Sequence, residues 1–190
     1  MDLSRLNKEQ QEAVKHMEGP LLILAGAGSG KTTMMTHRIA YMLEKGVSPY
    51  NILAVTFTNK AAGEMKDRIE SLTGGTRGMW VMTFHAMCVR ILRNHGEVLG
   101  FKNGFSIYDE SDKKALLKRI VKDLKIDEKI YPVSYLGSVI SSCKEAEEDP
   151  DDYIENNSMN FKAETVAKVY ARYMEDLQQN NAMDFDDLLW

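Results

Sequence analysis

The strongest pattern in the chain is an apolar run, then a glycine-rich turn, then a segment with helical periodicity. The apolar run covers residues 21–25 and predicts a strand buried on both faces. After the turn, apolar residues recur at helical spacing: Met35, Ile39, Met42 and Leu43. This spacing predicts a helix over 32–43. We therefore expect a strand, a glycine loop and a helix in direct succession.

Two further strand–helix pairs follow along the chain. Short apolar runs at 52–57 and 80–84 predict strands, and segments with helical spacing follow at 61–72 and 86–95. Strands that alternate with helices predict an α/β fold with a parallel sheet and right-handed crossovers. Ligands in such sheets bind at the carboxyl ends of the strands. We therefore expect the residues that follow each strand to share one edge with the glycine loop.

The alternation of strands and helices ends near residue 100. Amphipathic patterns predict three helices, at 113–126, 134–147 and 164–178, and residues 149–152 predict a loop. We predict an all-helical inserted lobe over 100–180, after a first domain over 1–99, and a return to that domain over 181–190. Residues 105–110 superficially resemble a strand that ends in an acidic pair. We interpret Asp109 instead as the cap of the next helix, and we expect no strand before Asp184.

Composition and charge narrow the class of protein. Among 190 residues, 44% are hydrophobic and 27% are charged, which is typical of a globular protein, and no apolar run approaches membrane-spanning length. Cys88 and Cys143 lie in helix-like apolar patterns, so we expect free thiols in a reducing cytoplasm. The net charge of −4 argues against nucleic acid. A mildly basic stretch over 58–95 is compatible with a polyanion, although charge alone favours an ordinary solvated surface.

The glycine-rich turn matches a phosphate-binding loop. Its residues, with the start of the helix, are Gly26, Ala27, Gly28, Ser29, Gly30, Lys31, Thr32 and Thr33. Glycines let successive backbone N–H groups point into one concavity, and the helix N-terminus adds further donors. Lys31 would bind the β- and γ-phosphates, and the Thr32 hydroxyl would bind Mg²⁺. The strict motif has glycine where this chain has Ala25, and the alternative is a glycine-rich turn with an incidental lysine.

Gln10 allows two interpretations. Asn7 and Gln10 have the spacing of a capping box, which predicts a helix start and is a sufficient structural reason for both residues. A glutamine amide just before a phosphate-loop strand also offers the donor and the acceptor that an adenine edge requires. The pattern alone does not decide between a cap and an adenine contact.

Polar and aromatic residues follow the second and third predicted strands. They are Phe57, Thr58, Asn59 and Lys60 after one strand, and Thr83, Phe84 and His85 after the other. Hydroxyls, amides and a lysine suit phosphates, and phenylalanines suit base stacking, so these groups fit single-stranded nucleic acid. The alternative is that the phenylalanines are core residues and Thr58 caps a helix. Spacing alone favours that alternative.

Taken together, these residues resemble the N-terminal part of the UvrD/PcrA/Rep-type superfamily 1 DNA helicases. Six stretches appear in the family's order and cover nearly the whole chain: LNKEQQEAV, GPLLILAGAGSGKTT, ILAVTFTNKAAGEMKDRI, TFHAMCVRIL, FSIYDESD and MDFDDLL. The resemblance implies a P-loop NTPase (RecA-like) domain with an inserted helical lobe. It also implies ATP and Mg²⁺ at residues 26–33, Gln10 on the adenine, and single-stranded DNA at 57–60 and 83–85. Thr33 is a departure, because relatives commonly have arginine there.

The resemblance also implies what lies outside this sequence. The family's acidic Mg²⁺-binding strand and its second motor domain would follow Trp190, so we expect a truncated chain that does not unwind DNA and hydrolyses ATP poorly. The full-length protein is expected to be a 3′ to 5′ translocase on single-stranded DNA and single-strand/duplex junctions, in the cytoplasm and without a membrane. Repair and replication proteins stay open as partners. The alternatives are a catalytically inactive nucleotide-binding module and a small-molecule kinase.

Overall fold

A computed structural model describes residues 2–190 of the chain. The chain divides into two compact units, one that ends at Met87 and one from Cys88 to Trp190. It is a mixed α/β protein with two short parallel sheets. Within residues 2–190, no helix combines the length and the apolar character needed to cross a membrane.

The first unit is built on one parallel strand pair. Its elements in chain order are α1 (Lys8–Lys15), α2 (Lys31–Glu44), β1 (Leu53–Thr56), α3 (Asn59–Thr73) and β2 (Trp80–Thr83), and α4 (Phe84–His95) begins in it. β1 and β2 pair in parallel, with Leu53 opposite Trp80 and Thr56 opposite Thr83. Apolar side chains from α2, α3 and the strands form the core: Ile39, Ile52, Ala54, Met65, Ile69 and Met79. The helices and strands expected between residues 31 and 95 are therefore confirmed.

The prediction of a strand over 21–25 is wrong, because the structure has no strand there. Residues 20–26 have no regular secondary structure, and the side chains of Leu22 and Leu24 are 83% and 87% exposed. A parallel strand needs a neighbour for its backbone N–H and C=O groups, and apolar composition does not supply one. In the described part of the first unit, the sheet consists of β1 and β2.

The second unit packs helices around a short strand pair. After α4, its elements are β3 (Ser106–Tyr108), α5 (Glu110–Asp123), α6 (Val133–Glu145), α7 (Pro150–Asn156), α8 (Ala163–Gln179) and β4 (Ala182–Asp184). The core contains fully buried residues from α5, α6 and α8: Leu117, Ile120, Leu136, Ile140, Val166, Val169, Tyr170 and Tyr173. The three helices predicted here are confirmed, and Cys88 and Cys143 are free thiols, Cys143 buried and Cys88 partly buried.

Three expectations for this unit are wrong. The stretch 100–180 is not all helical, because it contains β3. In addition, β3 pairs in parallel with β4, so a strand leads up to Asp184 and includes it. Residues 149–152 begin α7, since Asp149 accepts hydrogen bonds from the N–H groups of Asp151 and Asp152 and Pro150 occupies the first helical turn. The capping role predicted for Asp109 is confirmed, because its carboxylate caps α5 in the same way.

Candidate nucleotide and nucleic-acid sites

The glycine-rich turn leads directly into α2. Gly28 and Gly30 have φ angles of +75° and +83°, in the region that favours glycine, and Gly30 is the N-cap of α2. A Cβ atom at Gly26 or Gly28 would meet nothing within 4 Å. The first N–H groups of a helix have no partner within the helix, so the start of α2 offers backbone donors at this turn.

Lys31 folds back onto this turn. Its Nζ donates to the carbonyl oxygens of Ala25 at 2.7 Å and Gly26 at 2.6 Å. Ser29 Oγ donates to the same Gly26 carbonyl at 2.8 Å. The ammonium group is therefore held against the backbone of the turn by two carbonyl oxygens.

Gln10 both caps α1 and contacts the turn. Its Oε1 accepts the N–H of Asn7 at 3.0 Å, and Asn7 Oδ1 accepts the N–H of Gln10 at 2.8 Å, so the predicted capping box is confirmed. Its Nε2 donates to the Ser29 carbonyl at 2.9 Å. Gln10, Ser29, Gly30 and Lys31 line one cavity of about 290 Å³. The contact with Ser29 was not foreseen, because sequence spacing does not show which side chain reaches across to a loop.

The threonines after Lys31 occupy the first turn of α2 and are half-buried. The Thr33 carbonyl accepts a hydrogen bond from Thr36 Oγ1 at 2.9 Å and lies 2.7 Å from His37 Nδ1. Among residues 2–190, no group of three or more His, Cys, Asp or Glu side chains could hold a metal ion. Thr32 as a Mg²⁺ ligand therefore stays a prediction, as do the nucleotide contacts of the other loop residues.

The ends of β1 and β2 carry an exposed aromatic pair. The rings of Phe57 and Phe84 lie 5.4 Å apart, and their side chains are 88% and 36% exposed. They are therefore not core residues. Because Thr56 lies opposite Thr83 in the parallel pair, the residues that follow both strands share one edge of the sheet. Whether the glycine-rich turn shares this edge stays a prediction.

The polar residues beside this pair differ in their solvent exposure and in their hydrogen bonds. Asn59 and Lys60 are exposed at the start of α3, and His85 is half-buried in α4. Thr58 Oγ1 accepts the N–H of Ala61, so its predicted capping role is confirmed. Thr83 is buried, and its hydroxyl accepts the N–H of Ala86. The exposed groups at this edge therefore include the Phe57 and Phe84 rings, the Asn59 amide and the Lys60 ammonium.

A buried charged network in the second unit was not predicted. Lys144 Nζ contacts Asp184 Oδ2 at 2.9 Å and Asp187 Oδ1 at 2.6 Å, and its side chain is fully buried. Lys113 pairs with Asp186 at 2.7 Å, and the Tyr173 hydroxyl donates to Asp184 at 2.9 Å. Burial raises the pKa of Asp187. Burial is the largest influence on Asp184 and would raise its pKa, but the charge and hydrogen bond of Lys144, the Asp187 N–H and the charge of Lys113 together hold that pKa below its usual value.

A second carboxylate, on α8, is also held by cations. Asp176 accepts hydrogen bonds from Arg119 at 3.0 Å and Arg172 at 2.8 Å, and its side chain is 5% exposed. Burial alone would raise the pKa of Asp176, but the hydrogen bonds from the two arginines lower it below its usual value. The folded state therefore favours the ionised form of Asp176.

Residues 6–190 match the model of the UvrD/REP helicase N-terminal domain family. The chain belongs to this family. An ATP-dependent DNA helicase PcrA of Staphylococcus aureus is 49% identical over 98% of this chain and 26% of the relative's own length. A protein of the same name from Staphylococcus epidermidis is 50% identical over the same shares. The chain thus spans about a quarter of the length of these curated relatives, and the resemblance inferred from the UvrD/REP motifs is confirmed.

Proposed function

We propose that the chain is the ATP- and DNA-binding N-terminal part of an ATP-dependent DNA helicase that translocates 3′ to 5′. The relatives' name and the family membership support this assignment. In this proposal, residues 1–99 belong to a RecA-like P-loop domain, 100–180 form its inserted lobe, and 181–190 return to the domain. A cytoplasmic location and repair or replication partners belong to the same proposal.

The observation that carries the proposal is the position of Lys31. Its ammonium already lies within a glycine-rich turn at a helix N-terminus, 2.6 Å and 2.7 Å from two loop carbonyls. A triphosphate offers that ammonium charged oxygens in place of neutral ones, while the amides of residues 26–33 bind the remaining oxygens. Thr32 would bind Mg²⁺ and Gln10 would contact the adenine.

For DNA, we propose the edge formed by the ends of β1 and β2. A phenylalanine that is 88% exposed loses little by leaving water to stack on a base, and base stacking is tolerant of sequence. Asn59 and Lys60 would bind phosphates next to it, with Thr58, Thr83, Phe84 and His85 completing the site. Single-stranded DNA and single-strand/duplex junctions are the proposed ligands.

ATP binding is tested first. In titrations of the 190-residue chain with a fluorescent ATP analogue and Mg²⁺, Lys31→Ala should weaken binding at least tenfold, since it removes a charge-assisted contact with phosphate (about 1.5–3 kcal/mol). Lys45→Ala is the matched control, because Lys45 follows the other end of α2. Equal affinities for the wild type and Lys31→Ala would contradict the proposal. We expect the chain alone to show poor ATPase activity and no unwinding.

DNA binding is tested with labelled oligo-dT by fluorescence anisotropy. Phe57→Ala should raise the Kd by roughly fivefold or more, because stacking contributes about 1–3 kcal/mol per base. Tyr50→Ala is the control, since Tyr50 is 77% exposed but precedes β1 and so lies at the opposite edge. Binding should weaken at higher salt. ATP binding without any DNA binding would favour a nucleotide-binding module or a small-molecule kinase.

A further inference from the structure

We propose that Gln10 is a positioning residue for the triphosphate, acting through the Ser29–Gly30 peptide as well as on any adenine. This inference rests on the proposed function, because it requires ATP to bind at the glycine-rich turn. It assigns Gln10 an effect on phosphates that its side chain need not touch.

The Gln10 amide is fixed at both ends. Its oxygen accepts the Asn7 N–H in the capping box, and its nitrogen donates to the Ser29 carbonyl at 2.9 Å. A side chain held at two points has little rotational freedom left to lose. Gln10 therefore connects the start of α1 to the glycine-rich turn.

The contact with Ser29 fixes the direction of a backbone donor. A peptide bond is planar and trans, so the Ser29 carbonyl and the Gly30 N–H point in opposite directions. When Gln10 holds the carbonyl on its own side, the Gly30 N–H must point to the other side of the turn. Donors that are oriented before the ligand arrives increase affinity, because less ordering is required on binding.

Gly30 allows the Gln10 amide to come close to the Ser29–Gly30 backbone for two reasons. Its φ of +83° lies in the region that favours glycine, and a Cβ atom built on it would lie 2.9 Å from Gln10 Nε2. The Gln10 amide therefore rests directly against the Gly30 backbone. The same glycine permits both the turn and the contact with Gln10.

The test separates phosphate from adenine by using inorganic tripolyphosphate with Mg²⁺ as a competitor of the fluorescent ATP analogue. Gln10→Ala should weaken tripolyphosphate binding about fivefold, the effect of one net hydrogen bond. Gln10→Met, which is uncharged and similar in length, should weaken it as much, since a thioether cannot donate to the Ser29 carbonyl. Gln11→Ala is the matched control, because Gln11 Nε2 donates instead to the Leu6 carbonyl.

The outcomes distinguish the inference from the proposed function. Tripolyphosphate binding that falls in both Gln10 variants, with unchanged circular dichroism and no change in Gln11→Ala, supports the inference. If the Gln10 variants lose ATP affinity but keep tripolyphosphate affinity, Gln10 acts on adenine alone, and the inference is overturned while the proposed function stands. If the wild type binds neither compound, or if Lys31→Ala binds tripolyphosphate as well as the wild type, both proposals fail.

Discussion

Lys144→Met takes a buried ammonium away from Asp184 and Asp187 and leaves a side chain of similar length in its place. The Lys144 side chain is fully buried, and those of Asp184 and Asp187 are 2% and 18% exposed. Methionine fills most of the same volume, so a large cavity should not form. The expected loss of stability is therefore electrostatic.

The magnitude follows from how completely the carboxylates are buried. Removing one partner of a buried ion pair costs about 3–5 kcal/mol, because the remaining charge is left without compensation. Asp184 keeps the Tyr173 hydroxyl at 2.9 Å and Lys113 Nζ at 3.7 Å, which places the expected loss near the lower limit. With a urea m-value of roughly 1–3 kcal/mol/M, a loss of about 3 kcal/mol lowers the midpoint by about 1–3 M.

The two tryptophans provide an assay specific to one unit. Trp80 lies in the first unit and Trp190 in the second, so Trp80→Phe leaves Trp190 to report on the second unit. Urea titrations of Lys144→Met in this background should show the lower midpoint by Trp190 fluorescence. The loss should become smaller as the pH falls from 7 towards the raised pKa of Asp187, because protonation removes the charge that Lys144 no longer compensates.

Two comparisons decide whether the reasoning holds. Lys122→Met, at an exposed position on α5, should leave the midpoint unchanged. Asp187→Asn added to Lys144→Met should restore part of the lost stability, since it removes one uncompensated charge. A Lys144→Met midpoint equal to that of Lys122→Met, or a double variant less stable than the single one, would refute the electrostatic explanation.

Asp176→Asn should flatten the acid side of the stability profile, measured as Tm from pH 7 down to well below pH 3.8. The native pKa of Asp176 is lowered from a usual 3.8, so its stabilisation is present above that value and lost as the pH falls through the native pKa. An equal fall in Tm on acidification in the wild type and in Asp176→Asn would contradict this expectation. Gly78→Ala should lower stability by about 1–2 kcal/mol, since Gly78 has a φ of +95° and a Cβ atom there would lie 3.2 Å from the Tyr50 ring. Gly63→Ala, inside α3 with nothing within 4 Å of its Cβ position, should instead raise stability by about 0.5–1 kcal/mol in urea titrations.

Local patterns predicted the helices well because the backbone hydrogen bonds of a helix form within the same segment of the chain. The N–H and C=O groups of α2, α3 and α8 pair within the same segment, so periodicity and caps nearly suffice. A strand depends on a neighbour elsewhere in the chain. The run at 21–25 has strand composition without a paired neighbour among the described residues, whereas β3 pairs with a segment that begins at Ala182. Composition therefore predicted one strand that is absent, at 21–25, and did not predict β3 and β4.

The missed helix α7 had a local signal. Asp149 and Asp152 have capping-box spacing, with Pro150 at the first helical position, and the structure contains both features. The acidic run and the proline together favoured a loop. In this segment the carboxylates are helix caps rather than a solvated turn, a distinction that spacing expresses and net charge does not.

The buried lysines show where periodicity stops being informative. Lys113 precedes Leu116 and Leu117 on the apolar side of α5, and Lys144 follows Ile140 by one turn on the apolar side of α6. A lysine on a buried helix face must find an anion, so helical spacing could have predicted two missing carboxylates. It could not have identified Asp184 and Asp186, because these partners lie 40 and 73 residues further along the chain. The MDFDDLL stretch resembles a helicase family in sequence, and in the structure its aspartates pair with Lys113 and Lys144, which are buried on α5 and α6.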